Sequence, residues 1–109
     1  MADIDFKKVF ETLKVDVVGL ATSTVKSYRD EAKTDATKLL NGMKDNLNNW
    51  TLQLAEGTLS KNDFEFLVLA QKEVIEMHAL KQAGLALIKA DELKGKLLNQ
   101  VINTVFGLL

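Results

Sequence analysis

The chain has 109 residues, close to the size at which one hydrophobic core can hold a fold together without disulfides or metal. It contains no cysteine, so a disulfide framework and a cysteine-based zinc site are excluded. It also contains no proline, the residue whose ring breaks or kinks a helix. Its 14 basic and 15 acidic side chains nearly cancel, which argues against the basic stripe of a nucleic-acid-binding protein.

The first residues give no sign of export. Residues 1 to 5 carry acids where a secretory signal carries basic side chains, and no apolar signal core follows them. The most apolar stretch, residues 79 to 90, contains Lys81 and Lys89, so it falls short of the roughly 18 to 20 uncharged residues that span a bilayer. We therefore expect a cytoplasmic protein without a transmembrane helix.

An eleven-residue period of apolar side chains runs through the first half of the chain. This hendecad period equals about 3.67 residues per turn and keeps one apolar stripe aligned along a helix. Two rows of residues carry it: Phe6, Val17, Tyr28, Leu39 and Trp50, and Phe10, Ala21, Ala32, Met43 and Leu54. Because the phase is not reset at Gly19 or Gly42, the pattern predicts one helix over about residues 5 to 55, roughly 75 Å long.

The strongest turn signal follows this helix. Gly57 is suited to the left-handed position that closes a helix, and Ser60 is suited to the N-cap of the next one. Asp63, three residues on, takes the place of the glutamate in a capping box. We predict a reversal at residues 57 to 59.

The period starts again in a second helix, predicted over about residues 61 to 106. Its rows are Phe64, Ile75, Ala86, Leu97 and Leu108, and Val68, Ala79, Ala90 and Val101. A short loop makes long helices antiparallel neighbours, so the predicted all-α fold is an antiparallel hairpin in which Ala36 faces Ala79. The alternative is a compact three- or four-helix bundle, with breaks at Asn41 and Gly42 and near Asp91.

No residue cluster in the sequence supports catalysis, a metal or a cofactor. His78 is the only histidine, and the glycines are scattered singly rather than gathered in a phosphate-binding loop. The charged run over residues 29 to 38, which includes Asp35, mixes signs at helical spacing and is typical of a solvated face. We expect no enzymatic activity.

The second helix carries a further apolar stripe, roughly opposite the first at 100° per residue. Its members are Phe66, Leu69, Ala70, Met77, Leu80, Gly84, Leu87 and Ile88. One helix partner cannot cover both sides, and a helix that is apolar nearly all round is normally buried between neighbours. The stripe is therefore predicted to be an oligomer interface, either in a homodimer that forms a four-helix bundle or against the helices of a larger assembly.

Two classes of function fit this pattern. The first is a non-enzymatic module for protein-protein interaction or structural assembly. The second is reversible binding to lipid or membrane surfaces, because eleven-residue amphipathic repeats resemble the helices of apolipoproteins and related lipid-coating proteins. A helix lying on a bilayer has one apolar face and a lysine-rich polar face, whereas the second helix is apolar on opposite sides. Assembly with protein is therefore the favoured interpretation.

Overall fold

The computed structural model describes residues 4–109, and within that range the chain is helical, with short connections and no strand. The predicted all-α class is confirmed. The α-helices are α1 (Phe6–Thr24), α2 (Arg29–Glu56), α3 (Lys61–Ala70), α4 (His78–Ala83) and α5 (Leu87–Leu108), and 3-10 turns occupy Lys26–Tyr28 and Gln71–Glu73. Residues 1 to 3, which contributed to the expectation about export, lie outside the described range.

The helices form a bundle with four positions, one of which is shared by α3 and α4 in tandem. Helix α1 packs against α2 and α5, and the α3 and α4 pair packs against the same two helices on the other side. The bundle measures 47 × 23 × 19 Å, and its radius of gyration is 13.9 Å, near the roughly 13 Å of a compact chain of this length. A bundle with four helical positions therefore replaces the two long helices that the sequence predicted.

This arrangement corrects the predicted hairpin. A single helix of about 75 Å over residues 5 to 55 does not fit in a molecule 47 Å long. The compact bundle, kept as the alternative, is the closer description, but its breaks lie elsewhere. Gly42 lies inside α2 and Asp91 lies inside α5.

The first break separates α1 from α2. The backbone leaves helical geometry at Val25 (φ −115°, ψ 76°) and at Tyr28 (φ −129°, ψ 48°). Folding α1 back buries one side of it, made of Val9, Phe10, Leu13, Val17 and Ala21. Each large buried apolar side chain contributes about 1.5 to 3 kcal/mol, which outweighs the helical hydrogen bonds lost at a break, worth about 1 kcal/mol each.

The reversal between α2 and α3 lies where the sequence placed it. Gly57 has φ 83°, and the left-handed conformation closes α2 without the steric cost that a Cβ would bring. The hydroxyl of Ser60 accepts a hydrogen bond from the backbone N–H of Asp63 at 3.0 Å and caps α3. Local residues alone therefore account for this turn.

The second break, over residues 71 to 77, is held from both sides by distant side chains. The Nζ of Lys94 on α5 donates to the backbone carbonyls of Lys72, at 2.9 Å, and of Ile75. The carboxylate of Asp35 on α2 accepts from the N–H groups of Ala79 and Leu80, at 3.0 and 2.8 Å. These contacts satisfy carbonyls where one helix ends and N–H groups where the next begins, the groups that a break leaves unpaired.

Asp35 also corrects the interpretation of residues 29 to 38 as a solvated face. Its side chain is buried, while most of the charged residues around it are exposed. A buried carboxylate is costly unless it is hydrogen-bonded, and the two N–H groups at the start of α4 provide that compensation. Asp35 is therefore a tertiary cap rather than a solvated residue.

Candidate functional site: the outer apolar surface of the third and fifth helices

The structure divides the predicted interface stripe into an internal and an external part. Met77 and Leu80 are 1% and 0% exposed, because the break after α3 turns them into the bundle core. This corrects the prediction that they meet another chain: their partners are residues of the same chain. The other members remain at the surface: Phe66, Leu69, Ala70, Gly84, Leu87 and Ile88.

The first external group lies on the outer side of α3. The inner side is occupied by Phe64 and Val68, and the ring of Phe64 lies 5.7 Å from that of Phe106 on α5. Phe66 consequently points away from the bundle and is 72% exposed, with Leu69 and Ala70 one helical turn further on. An aromatic ring of this exposure is the largest apolar side chain that the surface presents.

The second external group begins α5. Leu87 and Ile88 are 67% and 69% exposed, because the reversal at Gly84 releases the chain before the buried side of α5 starts at Ala90. Both side chains line a cleft of about 480 Å³ beside the buried Met77. The rim of this cleft is charged and includes Lys81, Asp91 and Lys94.

An ion pair joins the two groups. Lys72 lies three residues after Leu69, and its Nζ is 3.3 Å from the carboxylate of Asp91, which lies three residues after Ile88. The Lys72–Asp91 ion pair therefore lies between the segments that carry the two groups. We name Phe66, Leu69, Ala70, Leu87 and Ile88 together the outer apolar surface.

Exposed charged side chains surround both groups. Glu65 and Glu73 are exposed beside the apolar residues of α3. Lys81 is exposed on the rim of the cleft at the start of α5. With Lys72 near the α3 group and Asp91 near the α5 group, each group is bordered by charges of both signs.

Gly84 and Val74 differ from the predicted stripe. Gly84 has φ 109° and ends α4, so it makes a turn instead of continuing the stripe along one helix. Val74, at 72% exposure, adds an exposed apolar side chain that the pattern did not include. It follows the Gln71–Glu73 turn, where the helical phase used to assign the stripe no longer applies.

The described residues contain no cluster of metal-ligating side chains. Within residues 4–109, no three histidine or acidic side chains gather as metal ligands. His78 lies 3.1 Å from the carboxylate of Glu76, and both side chains are exposed at the surface. None of the helices in the described part of the chain is both long and apolar enough to cross a bilayer.

The remaining polar contacts between helices are structural. The hydroxyl of Thr104 donates to the carboxylate of Asp16 at 2.8 Å and accepts from the amide of Gln100 at 3.0 Å, which joins α5 to α1. Comparison with known protein families, curated proteins and solved structures finds no match to this chain.

Proposed function

We propose that this chain is a non-enzymatic helical interaction module that assembles through the outer apolar surface, with a second copy of itself as the favoured partner. The observation that supports the proposal is the exposure of Phe66, Leu87 and Ile88, each more than two-thirds open to solvent. Several large apolar side chains exposed on one small domain favour an interaction site. Association that removes these apolar side chains from water is favourable through the hydrophobic effect.

We infer a second copy as the partner because closed twofold dimers are the commonest homo-oligomers and use the same surface on both chains. In a closed dimer, the contact that residue i of one copy makes with residue j of the other is repeated as j with i. The α3 group of each copy then packs on the α5 group of its partner.

Lipid-surface binding, the alternative function, has weaker support. A helix that lies on a bilayer presents a continuous apolar side with lysines on its polar side. The outer side of α3 carries Glu65 and Glu73 instead, and its apolar residues are only three. Membrane association is therefore the competing outcome of the experiment described next.

Sedimentation equilibrium of three proteins tests the proposal. The parent is expected to show an average mass that rises with concentration, and the double variant with Leu87→Asp and Ile88→Asp is expected to remain monomeric. Val15→Asp is the matched control. Val15 is an apolar residue of α1 with 72% exposure, and it lies far in sequence from the residues of the outer apolar surface. The control should associate like the parent.

Two outcomes would contradict the proposal. A parent that stays monomeric at high micromolar concentration excludes self-association through this surface. Equal loss of association in the control and in the double variant would show a nonspecific effect of charge. Flotation of the parent with neutral phosphatidylcholine vesicles, abolished by the double variant alone, would replace protein assembly by lipid binding.

A further inference from the structure

The connection between α1 and α2 lacks the residues that normally make a reversal. Residues 24 to 28 read Thr, Val, Lys, Ser, Tyr, without the glycine or proline that favours a turn. No side chain caps the start of α2 at Tyr28. The reversal after α2 differs in both respects, because it has a left-handed Gly57 and the cap from Ser60.

The backbone of this connection is already close to helical. Lys26–Tyr28 form a 3-10 turn, and Arg29 has ordinary helical angles of φ −60° and ψ −46°. The departures from helical geometry lie at Val25 and Tyr28, with ψ of 76° and 48°. Rotation about a few bonds at these two residues would join α1 and α2 into one helix.

The apolar pattern continues through the connection in the phase of such a helix. Val17 and Ala21 precede it, and Tyr28 and Ala32 occupy the corresponding positions eleven residues later. Each of these four is buried or half-buried in the compact bundle. The sequence is therefore compatible with both a reversal and a continuous helix at this point.

We propose that two copies of the chain exchange α1 by straightening this connection. In the exchanged dimer, residues 6 to 56 form one helix, and α1 of each copy packs on α2 and α5 of the other. The buried side of α1 keeps the neighbours it has in the compact bundle. An exchange of this kind needs no new interface, which makes it a low-cost route to a dimer. It involves the α1 to α2 connection and is independent of the outer apolar surface.

Lys26→Pro is designed to trap the unexchanged form. Lys26 is the first residue of the 3-10 turn, a position that proline tolerates, and the preceding Val25 is already out of helical geometry. In the continuous helix the same proline would be interior, where it removes a hydrogen bond and clashes with the preceding turn. The variant should therefore fold as the parent does but exchange much less.

The opposite change uses two exposed residues of the connection. Thr24→Ala with Ser27→Ala raises helix propensity across it without touching the core. After refolding from denaturant at high protein concentration, size exclusion with light scattering should give a dimer fraction for the parent. That fraction should fall at least several-fold in Lys26→Pro and rise several-fold in the double alanine variant.

An isotope-mixing cross-link identifies the exchange. The ammonium groups of Lys14 on α1 and Lys44 on α2 lie 5.1 and 5.2 Å from the centre of the Phe10 ring, so a short amine-reactive reagent joins them. Light and heavy chains are mixed before refolding, and the isolated dimer is then cross-linked. Exchange predicts Lys14 to Lys44 links between light and heavy peptides, whereas the monomer gives links within one isotope.

Three results would overturn the exchange. They are a parent without dimer after refolding at high concentration, a dimer fraction unchanged by Lys26→Pro, and a dimer whose Lys14 to Lys44 links stay within one isotope. If the links stay within one isotope and the dimer is lost in the variant with Leu87→Asp and Ile88→Asp, the dimer forms through the outer apolar surface alone. Failure of the surface proposal leaves the mixed-isotope links in place, so the two proposals fail separately.

Discussion

The carboxylate of Asp35 accepts two backbone hydrogen bonds at the start of α4 and is the only buried charged side chain among residues 4–109. Asp35→Ala leaves the N–H groups of Ala79 and Leu80 without these partners, so we expect a loss of about 1 to 3 kcal/mol in the free energy of unfolding. Urea titration followed by circular dichroism measures it. Asp45→Ala, at an exposed position of the same helix, is the control and should change stability by less than about 0.5 kcal/mol.

Thr51 presents the opposite case at the scale of a single residue. Its hydroxyl is buried and has no hydrogen-bond partner among the described residues. Thr51→Val replaces the hydroxyl by a methyl group of similar size, and we expect thermal stability to be unchanged or higher, because an unpaired buried polar group is removed.

Thr51→Ser is the matched comparison. It keeps the hydroxyl, removes the methyl group and leaves a small cavity, so it should lower stability by about 1 kcal/mol. If Thr51→Val lowered the melting temperature as much as Thr51→Ser does, the hydroxyl would have a partner that this account has missed.

The break between α3 and α4 depends on Lys94, which contacts the carbonyls of Lys72 and Ile75. Lys94→Met keeps most of the aliphatic chain but loses these contacts, so we expect amide hydrogen exchange to become faster over residues 71 to 80, with a loss of about 1 to 2 kcal/mol in local stability. Lys96→Met, exposed two residues further along α5, is the control. Equal exchange in both variants would contradict a capping role for Lys94.

Two glycines distinguish a helix interior from a turn. Gly42 lies inside α2 with open space around its Cα, so Gly42→Ala should stabilise the protein by about 0.5 to 1 kcal/mol. Gly57 has φ 83°, so Gly57→Ala should destabilise it by about 1 kcal/mol or more. The denaturant midpoints of the two variants measure both effects. If Gly42→Ala destabilised the protein, that result would favour the alternative prediction of a helix break at Gly42.

The elements could be predicted from the sequence where local residues determine them. The turn at Gly57 and Ser60 is of this kind. Two of the three missed breaks are not: residues 25 to 28 carry no turn signal, and residues 71 to 77 are held by Asp35 and Lys94, which lie far away in sequence. The third break, at Gly84, does have a local signal in its left-handed glycine (φ 109°), but the apolar stripe assigned Gly84 to the interior of the predicted second helix. A hydrophobic period shows which side of a helix is buried, but it does not show whether the helix is continuous.

The side that the period marked is nevertheless the buried one in the first half of the chain. Val17, Ala21, Ala32 and Met43 are all buried despite the break between them. The predicted pairing of Ala36 with Ala79 also agrees with the position of Asp35, whose carboxylate contacts the N–H of Ala79. This agreement arises because α2 remains the antiparallel neighbour of the segment that follows the Gly57 turn.

At the scale of the whole molecule, the bundle resolves the two apolar sides of the second half by changing direction. A continuous helix would leave Met77 and Leu80 on the outside, whereas the break brings both into the core. Phe66, Leu87 and Ile88, which precede or follow the rotated segment, remain largely exposed, and Leu69 is partly exposed. Their role as an interface stays a prediction.

Assembly through the outer apolar surface is tested by the concentration dependence of backbone amide chemical shifts in ¹⁵N-labelled protein. We expect progressive shifts or broadening at Phe66, Leu69, Leu87 and Ile88 as concentration rises, while the amides around Val15 stay unchanged. Spectra that do not change with concentration, or changes centred on α1 around Val15, would contradict it.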